Sequence, residues 1–284
     1  MKALLAAALV IFAVTANAAT PQELEAQAAK AYGARDYTQA GRQSATESVR
    51  LFGDLVQQTA DPIKKAEYMI RQAGAYFFLG DATQDNAEKI TQFSNGLTLA
   101  GNGVKILGVS DVNAVSDVDV QNILKKPKEQ IQMLAEGLYV RGINLGQWGQ
   151  ANGVLQSLDK WPELRSTMEL IVKIGAKSVH EYGAYRTLGR GYFKIPALLG
   201  GDSSKAAKYL QTAVQGSLAP GQVYSVNGYN NLFYVELLKD QGQDAQGKKI
   251  LQDFGNANPA TILPGFEAET REAQRQAIEM LKNW

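Results

Sequence analysis

The sequence predicts an all-α protein, a tetratricopeptide-like array of helical hairpins (an α-solenoid) with about ten or eleven helices in about five hairpins. Two patterns favour this class: apolar residues recur at helical spacing, and capping or turn residues stand at the breaks between them. A third observation is the hairpin turn Gly200-Gly201-Asp202, where Gly closes one helix and Asp202 caps the next. The helix after this turn places Ala206, Leu210 and Ala213 on one face, a pattern that allows close packing.

The first hundred residues predict two hairpins. A helix over 21–34 is followed by an Asp-Tyr-x-x-Ala turn at 36–40, which starts a second helix that reaches about residue 57. Asp61-Pro62 begins a third helix, because proline fits the first turn, and it ends at Gly80-Asp81. A fourth helix is expected over 82–99. The segment 101–119 mixes β-branched residues with Gly, Asn and Asp, and its structure stays open between an extended excursion and a short insertion.

The second half of the chain continues the helical pattern. Further helices are expected over 125–146, 177–196, 203–216, 222–240 and 244–254, and a polar helix over 267–281 is suited to capping the end of an array. Because such an array grows by adding hairpins rather than new cores, we predict one domain over 19–284.

Residues 1–18 have the pattern of a cleaved secretory signal peptide. Lys2 supplies the positive start, residues 3–14 form an apolar run, and Ala16-Asn17-Ala18 is a small-x-small cleavage site. The apolar run is too short for a membrane span, which needs about 20 residues. We therefore expect an exported chain that begins at Ala19. Because the sequence contains no cysteine, no lipidation site follows the signal.

The composition argues against several function classes. The 29 basic and 28 acidic side chains nearly balance, which gives nucleic acid or an anionic membrane surface no electrostatic reason to bind. His180 is the single histidine, so a zinc protease with paired histidines is excluded, and no Gly-x-Ser-x-Gly elbow occurs. We expect His180 to lie on a helix surface or to line a pocket.

Other catalytic and metal-binding patterns are equally weak. The acids of the 111–119 loop depart from the spacing of a calcium loop, so we expect them to be solvated. We predict a non-enzymatic protein without a metal or cofactor. The alternative is an envelope enzyme, or an enzyme subunit, whose acidic site has no recognisable spacing.

Packing and turn residues between about 140 and 216 resemble a known family. The matching residues are Trp148, the Trp161-Pro162-Glu163-Leu164 element, Leu188-Gly189 and the run from Pro196 to Asp202. They resemble the T components associated with bacterial TRAP transporters, which are periplasmic tetratricopeptide-like proteins. The resemblance implies a periplasmic scaffold or carrier that works beside a TRAP-type solute-binding protein, with a small apolar or organic-acid ligand in a central pore. Many family members are lipoproteins, so the absence of cysteine here departs from the family. The oligomeric state stays open, a homo-oligomer included.

The expected helix 177–196 carries the candidate binding residues. Its aromatic series, Tyr182, Tyr185 and Tyr192, is interleaved with Arg186 and Arg190. Two interpretations remain: the rings form core between hairpins, or they line a groove in which an arginine grips the carboxylate of an amphipathic anion. A protein partner is a competing occupant of such a groove. Trp148 completes the set of candidate ligand- or partner-binding residues.

Overall fold

The computed structural model describes residues 19–284, and this part of the chain contains thirteen α-helices and no β-strand. The all-α class and the array of helical hairpins are thereby confirmed. The predicted number, ten or eleven helices, is slightly lower than the thirteen observed within 19–284. Two short helices, α5 and α12, lie in segments that the sequence pattern did not predict to be helical. The predicted signal peptide, 1–18, lies outside the described residues.

The helices follow one another through short connections. They are α1 (Pro21–Gly33), α2 (Gln39–Gln58), α3 (Pro62–Ala82), α4 (Asn86–Ile106), α5 (Asp117–Leu124), α6 (Lys128–Asn152), α7 (Trp161–Lys173), α8 (Gly183–Lys194), α9 (Ser203–Gly216), α10 (Gly228–Asp240), α11 (Asp244–Gly255), α12 (Pro259–Ile262) and α13 (Glu267–Lys282). Two 3₁₀ turns, Leu155–Lys160 and Ala197–Leu199, lie beside α7 and α8. None of the helices within 19–284 has both the length and the apolar character needed to cross a bilayer.

In the first half of the chain, the segment 101–119 is where the observed structure differs most from the structure predicted by the sequence. Helix α4 passes through Gly101-Asn102-Gly103 and ends at Ile106, so the predicted end near residue 99 is wrong. Glycine serves there for close packing rather than as a break, since a Cβ on Gly103 would lie 3.0 Å from Cγ1 of Ile70 on α3. Ser116 then caps α5 through the backbone amide of Asp119.

The expected helix 177–196 begins six residues later than predicted, at Gly183. His180, Glu181 and Tyr182 have φ angles of 48°, 51° and 63°, a left-handed conformation that L side chains rarely adopt and that no right-handed helix can contain. The helix expected from 222 likewise begins only at Gly228, because a tight turn brings Leu218 opposite Ser225.

The hairpin after α8 has the predicted geometry. Gly200 adopts φ 98°, and the side chain of Asp202 accepts a hydrogen bond of 2.9 Å from the backbone amide of Lys205. Ala206, Leu210 and Ala213 are completely buried on the inner face of α9, as their spacing predicts.

The two ends of the array meet. From α1 to α4 and from α6 to α11 each helix packs on its chain neighbour, while α4 packs on α6 and α13 packs on α10 and α11. Between α1 and α2, Arg35 reaches α13, where its Nε donates to Glu269 Oε1 at 2.8 Å and its Nη2 donates to the carbonyl of Gly265 at 3.2 Å. The array therefore closes into a ring around a central cavity.

Candidate binding site in the central cavity

The central cavity has a volume of about 920 Å³, which is within the range of ligand pockets in proteins. Its wall combines residues of α1, α3, α6, α7, α8, α10 and α13, so helices from all parts of the ring contribute to it. The wall is mainly apolar, with Ile70, Phe77, Val140, Ile143, Leu164 and Phe233 among its residues. Such a surface favours an apolar ligand body because binding removes both surfaces from water.

A basic row on α8 interrupts the apolar wall. Arg186, Arg190 and Lys194 are spaced four apart and all line the cavity, as helical geometry requires of residues on one face. Arg190 and Lys194 both pair with Glu236 of α10, Lys194 at 2.7 Å. Burial alone would raise the pKa of Glu236, but these two cations outweigh it and hold the pKa below its usual value. This carboxylate therefore stays ionised and is shared by two of the three cations.

Arg186 has only neutral acceptors. Arg186 is buried, with 6% of its surface exposed. Its Nη1 donates to Asn230 Oδ1 at 2.7 Å and to the carbonyl of His180 at 3.4 Å. Its Nη2 donates to the hydroxyl of Tyr139. Within 19–284, every other arginine or lysine that lines the cavity has a carboxylate within 4.0 Å, and Arg186 has none. A buried cation without a counter-ion is costly, so this position favours an anion in the cavity.

The left-handed turn before α8 holds this arginine in place. The turn carries the His180 carbonyl that accepts from Arg186, and the next carbonyl, that of Glu181, accepts from Asn230 Nδ2 at 2.8 Å. The imidazole of His180 stacks on Tyr139 with ring centres 4.3 Å apart, and its Nε2 lies 2.7 Å from Glu136 Oε1. Strained backbone of this kind is common at functional sites, where surrounding contacts stabilise it.

Trp161, the first residue of α7, contributes its ring to the cavity wall. Trp161 is 7% exposed, its ring packs edge-on against Tyr192 at 5.2 Å, and it forms part of the cavity wall. Its indole Nε1 has no hydrogen-bond partner among the described residues. The indole nitrogen lies near Gly200, which is not part of the cavity wall, since a Cβ on Gly200 would be 3.7 Å from Nε1.

The acidic groups of the cavity are engaged by the protein itself. Asp81, near the end of α3, accepts a hydrogen bond of 2.6 Å from the Tyr37 hydroxyl, and burial raises the pKa of this carboxyl. Glu136 faces His180, and Glu269 pairs with Arg35. Burial also raises the pKa of the neighbouring Tyr32 to about 12. These acidic groups therefore form contacts within the cavity wall itself.

The structure separates the six candidate residues into two groups. Arg186 and Arg190 line the cavity, whereas Trp148, Tyr182, Tyr185 and Tyr192 do not. The tyrosines pack towards α9, with Tyr209 at ring distances of 5.9 Å from Tyr185 and 5.8 Å from Tyr192. This packing favours the core interpretation of the aromatic series. Trp148 is half-buried on α6.

The hydrogen-bond partners of Arg186 carry no signal in the sequence. Asn230 and Tyr139 are 44 and 47 residues from Arg186, and no local spacing predicts such contacts. The basic row could have been found, because Arg186, Arg190 and Lys194 repeat every four residues. His180 lies in the cavity wall, one of its two expected positions.

The acids of the 111–119 loop bind backbone amides. Asp111 accepts from the amide of Asn113 at 2.9 Å, and Asp119 accepts from the amide of Ser116 at 2.9 Å. Over residues 19–284, no group of three His, Cys, Asp or Glu side chains is placed to hold a metal ion.

No protein-family model matches the chain, and no curated protein matches it. The resemblance to TRAP T components therefore rests on the motifs between about 140 and 216, and it stays a prediction. The geometry of the cavity is therefore the main evidence for a function.

Proposed function

We propose that this protein is a non-enzymatic periplasmic carrier or scaffold that holds a small organic or apolar ligand in its central cavity. The observation that carries the proposal is the cavity itself: about 920 Å³ enclosed by a closed ring of helices, with a mainly apolar wall. A mainly apolar wall that is left in contact with water is unfavourable, and a ligand with an apolar body would cover it. Large apolar pockets with a few polar groups are the usual form of a ligand site.

The state of the cavity acids supports binding rather than catalysis. Glu136 and Glu269 are each paired with a basic side chain, and Asp81 accepts from Tyr37. A general acid or base needs a free proton position beside the reacting atoms. Each of these contacts occupies one carboxylate oxygen, and the alternative, an envelope enzyme with an acidic site, would use Glu269 Oε2, which has no hydrogen-bond partner among the described residues.

The partner follows from the family resemblance. A TRAP-type periplasmic solute-binding protein is the expected partner, and the carrier would exchange ligand with it. Crosslinking in the native host, followed by affinity purification of this chain, should recover such a protein. Recovery of only outer-membrane or cytoplasmic proteins would contradict this part of the proposal.

The binding function is tested with an apolar fluorescent probe, N-phenyl-1-naphthylamine, on residues 19–284. Gly74 lines the cavity, and a Cβ there would meet only the Tyr32 hydroxyl, at 3.8 Å. Gly74→Leu should therefore fill part of the cavity while improving the propensity of α3. We expect it to weaken probe binding about tenfold or more, since the side chain occupies ligand volume.

The matched control is Gly33→Leu. Gly33 is exposed at the end of α1, and a Cβ there has no neighbour within 4 Å. This variant should bind the probe as the unmodified chain does. If the unmodified chain does not bind the probe, or if both variants bind it equally well, the cavity is not the binding site.

A further inference from the structure

The three cations on α8 outnumber their carboxylate partners by two. Arg186, Arg190 and Lys194 share a single carboxylate, that of Glu236. Arg190 and Lys194 both contact Glu236, so Arg186, at the other end of the row, is the one cation of the three without a carboxylate contact. A single ligand carboxylate would give Arg186 its first anionic partner, whereas the other two cations already have one.

The guanidinium of Arg186 also has unused donors. Three of its five N–H groups donate to Asn230, His180 and Tyr139, and two remain, one on Nε and one on Nη2. Neither of these two has an acceptor among the described residues. The Nε and Nη2 groups form one edge of the guanidinium plane, which is the fork geometry that binds a carboxylate through two parallel hydrogen bonds.

We propose that the cavity ligand is a monocarboxylate with an extended apolar body, and that Arg186 binds its carboxylate. This inference rests on the proposed function, because it names the ligand class of the same cavity. The apolar wall around Ile143 and Leu164 covers the body of the ligand. Tyr139 and Asn230 act as positioning residues, since they hold the guanidinium and leave its fork free.

The test compares ligands of equal length on the unmodified chain by displacement of N-phenyl-1-naphthylamine. The series is dodecanoate, dodecanol, dodecylamine and dodecanedioate. We expect dodecanoate to bind about tenfold or more tightly than dodecanol, because a hydrogen-bonded charge adds to the shared apolar contacts. Dodecylamine and dodecanedioate should both bind more weakly than dodecanoate. Equal binding of dodecanoate and dodecanol would overturn this inference and leave the proposed function intact, whereas failure of the probe and of all four ligands to bind would overturn both.

A variant assigns the effect to one side chain. Arg186→Met keeps an apolar side chain of similar length and should remove the preference for dodecanoate over dodecanol. The control is Arg165→Met, since Arg165 lies outside the cavity wall and pairs with Glu169 at 3.9 Å on the surface. It should keep the preference in full. A folded Arg186→Met protein that still prefers dodecanoate contradicts the inference, and if that variant does not fold, the comparison of ligands on the unmodified chain decides alone.

Discussion

Arg35 and Glu269 join the two ends of the helical array across 234 residues of sequence, with Nε donating to Oε1 at 2.8 Å. The Arg35 guanidinium also lies 4.0 Å from the ring centre of Tyr32 and 5.3 Å from that of Phe266. Tyr32, Phe266 and Glu269 all line the cavity. The contact that closes the ring therefore lies beside the cavity wall, and opening it would expose the cavity.

Removing Arg35 should destabilise the protein strongly. Arg35→Met leaves the partly buried carboxylate of Glu269 without its partner, which is expected to lower the free energy of unfolding by about 2 kcal/mol. Urea denaturation followed by circular dichroism measures the change. The control is Arg275→Met, because Arg275 forms a similar pair with Glu272 but its side chain is 62% exposed. That change should cost less than about 1 kcal/mol, and equal effects of the two substitutions would show that the Arg35 contact does not close the ring.

Asp81 should make the stability of the protein fall as pH rises above the usual carboxyl range. Burial raises its pKa, so the folded protein keeps a proton that the unfolded chain, with a pKa of about 4, has already released. Stability is therefore lost between the unfolded pKa and the higher folded pKa. Asp81→Asn removes this dependence and can still accept the hydrogen bond from Tyr37.

Urea denaturation at pH 4 and pH 8 tests this sign. The variant should gain stability relative to the unmodified chain at pH 8 and show little difference at pH 4. A variant that is equally destabilised at both pH values would contradict a buried, protonated Asp81.

Tyr185 should contribute to stability and not to ligand binding. Its ring contacts Tyr182 and Tyr209, each with ring centres 5.9 Å apart, on the side of α8 that faces α9. Tyr185→Ala should lower the free energy of unfolding by about 2 kcal/mol through lost packing. The affinity for N-phenyl-1-naphthylamine should stay within about twofold, since the residue does not line the cavity. A stable variant with weakened probe binding would instead favour the aromatic groove.

Export of the chain is a separate prediction. Lys2, the apolar run over 3–14 and Ala16-Asn17-Ala18 together predict cleavage before Ala19. Mass spectrometry of the protein from its native host should find an N-terminus at or next to Ala19. Soluble cytoplasmic protein that retains Met1 would contradict it.

Local features of the fold were predictable from residue types, whereas the long-range contacts in the cavity were not; a central pore was expected only from the family resemblance. Asp202 and Gly200 act within one turn of chain, so their types alone predict the hairpin. The left-handed turn at His180 was missed because it uses residues that seldom adopt that conformation, and a helix pattern runs through them. The partners of Arg186 were missed because Asn230 and Tyr139 come from distant helices, which only the closure of the ring brings together.

The most direct test of a ligand-binding cavity is a crystal structure of residues 19–284 grown with 12-bromododecanoate, in which anomalous scattering locates the bromine. We expect one bromine peak within the central cavity and carboxylate density within hydrogen-bond distance of Arg186 Nε and Nη2. A cavity that contains only ordered water at a saturating concentration of this acid, or that is filled by rearranged side chains, would contradict the account.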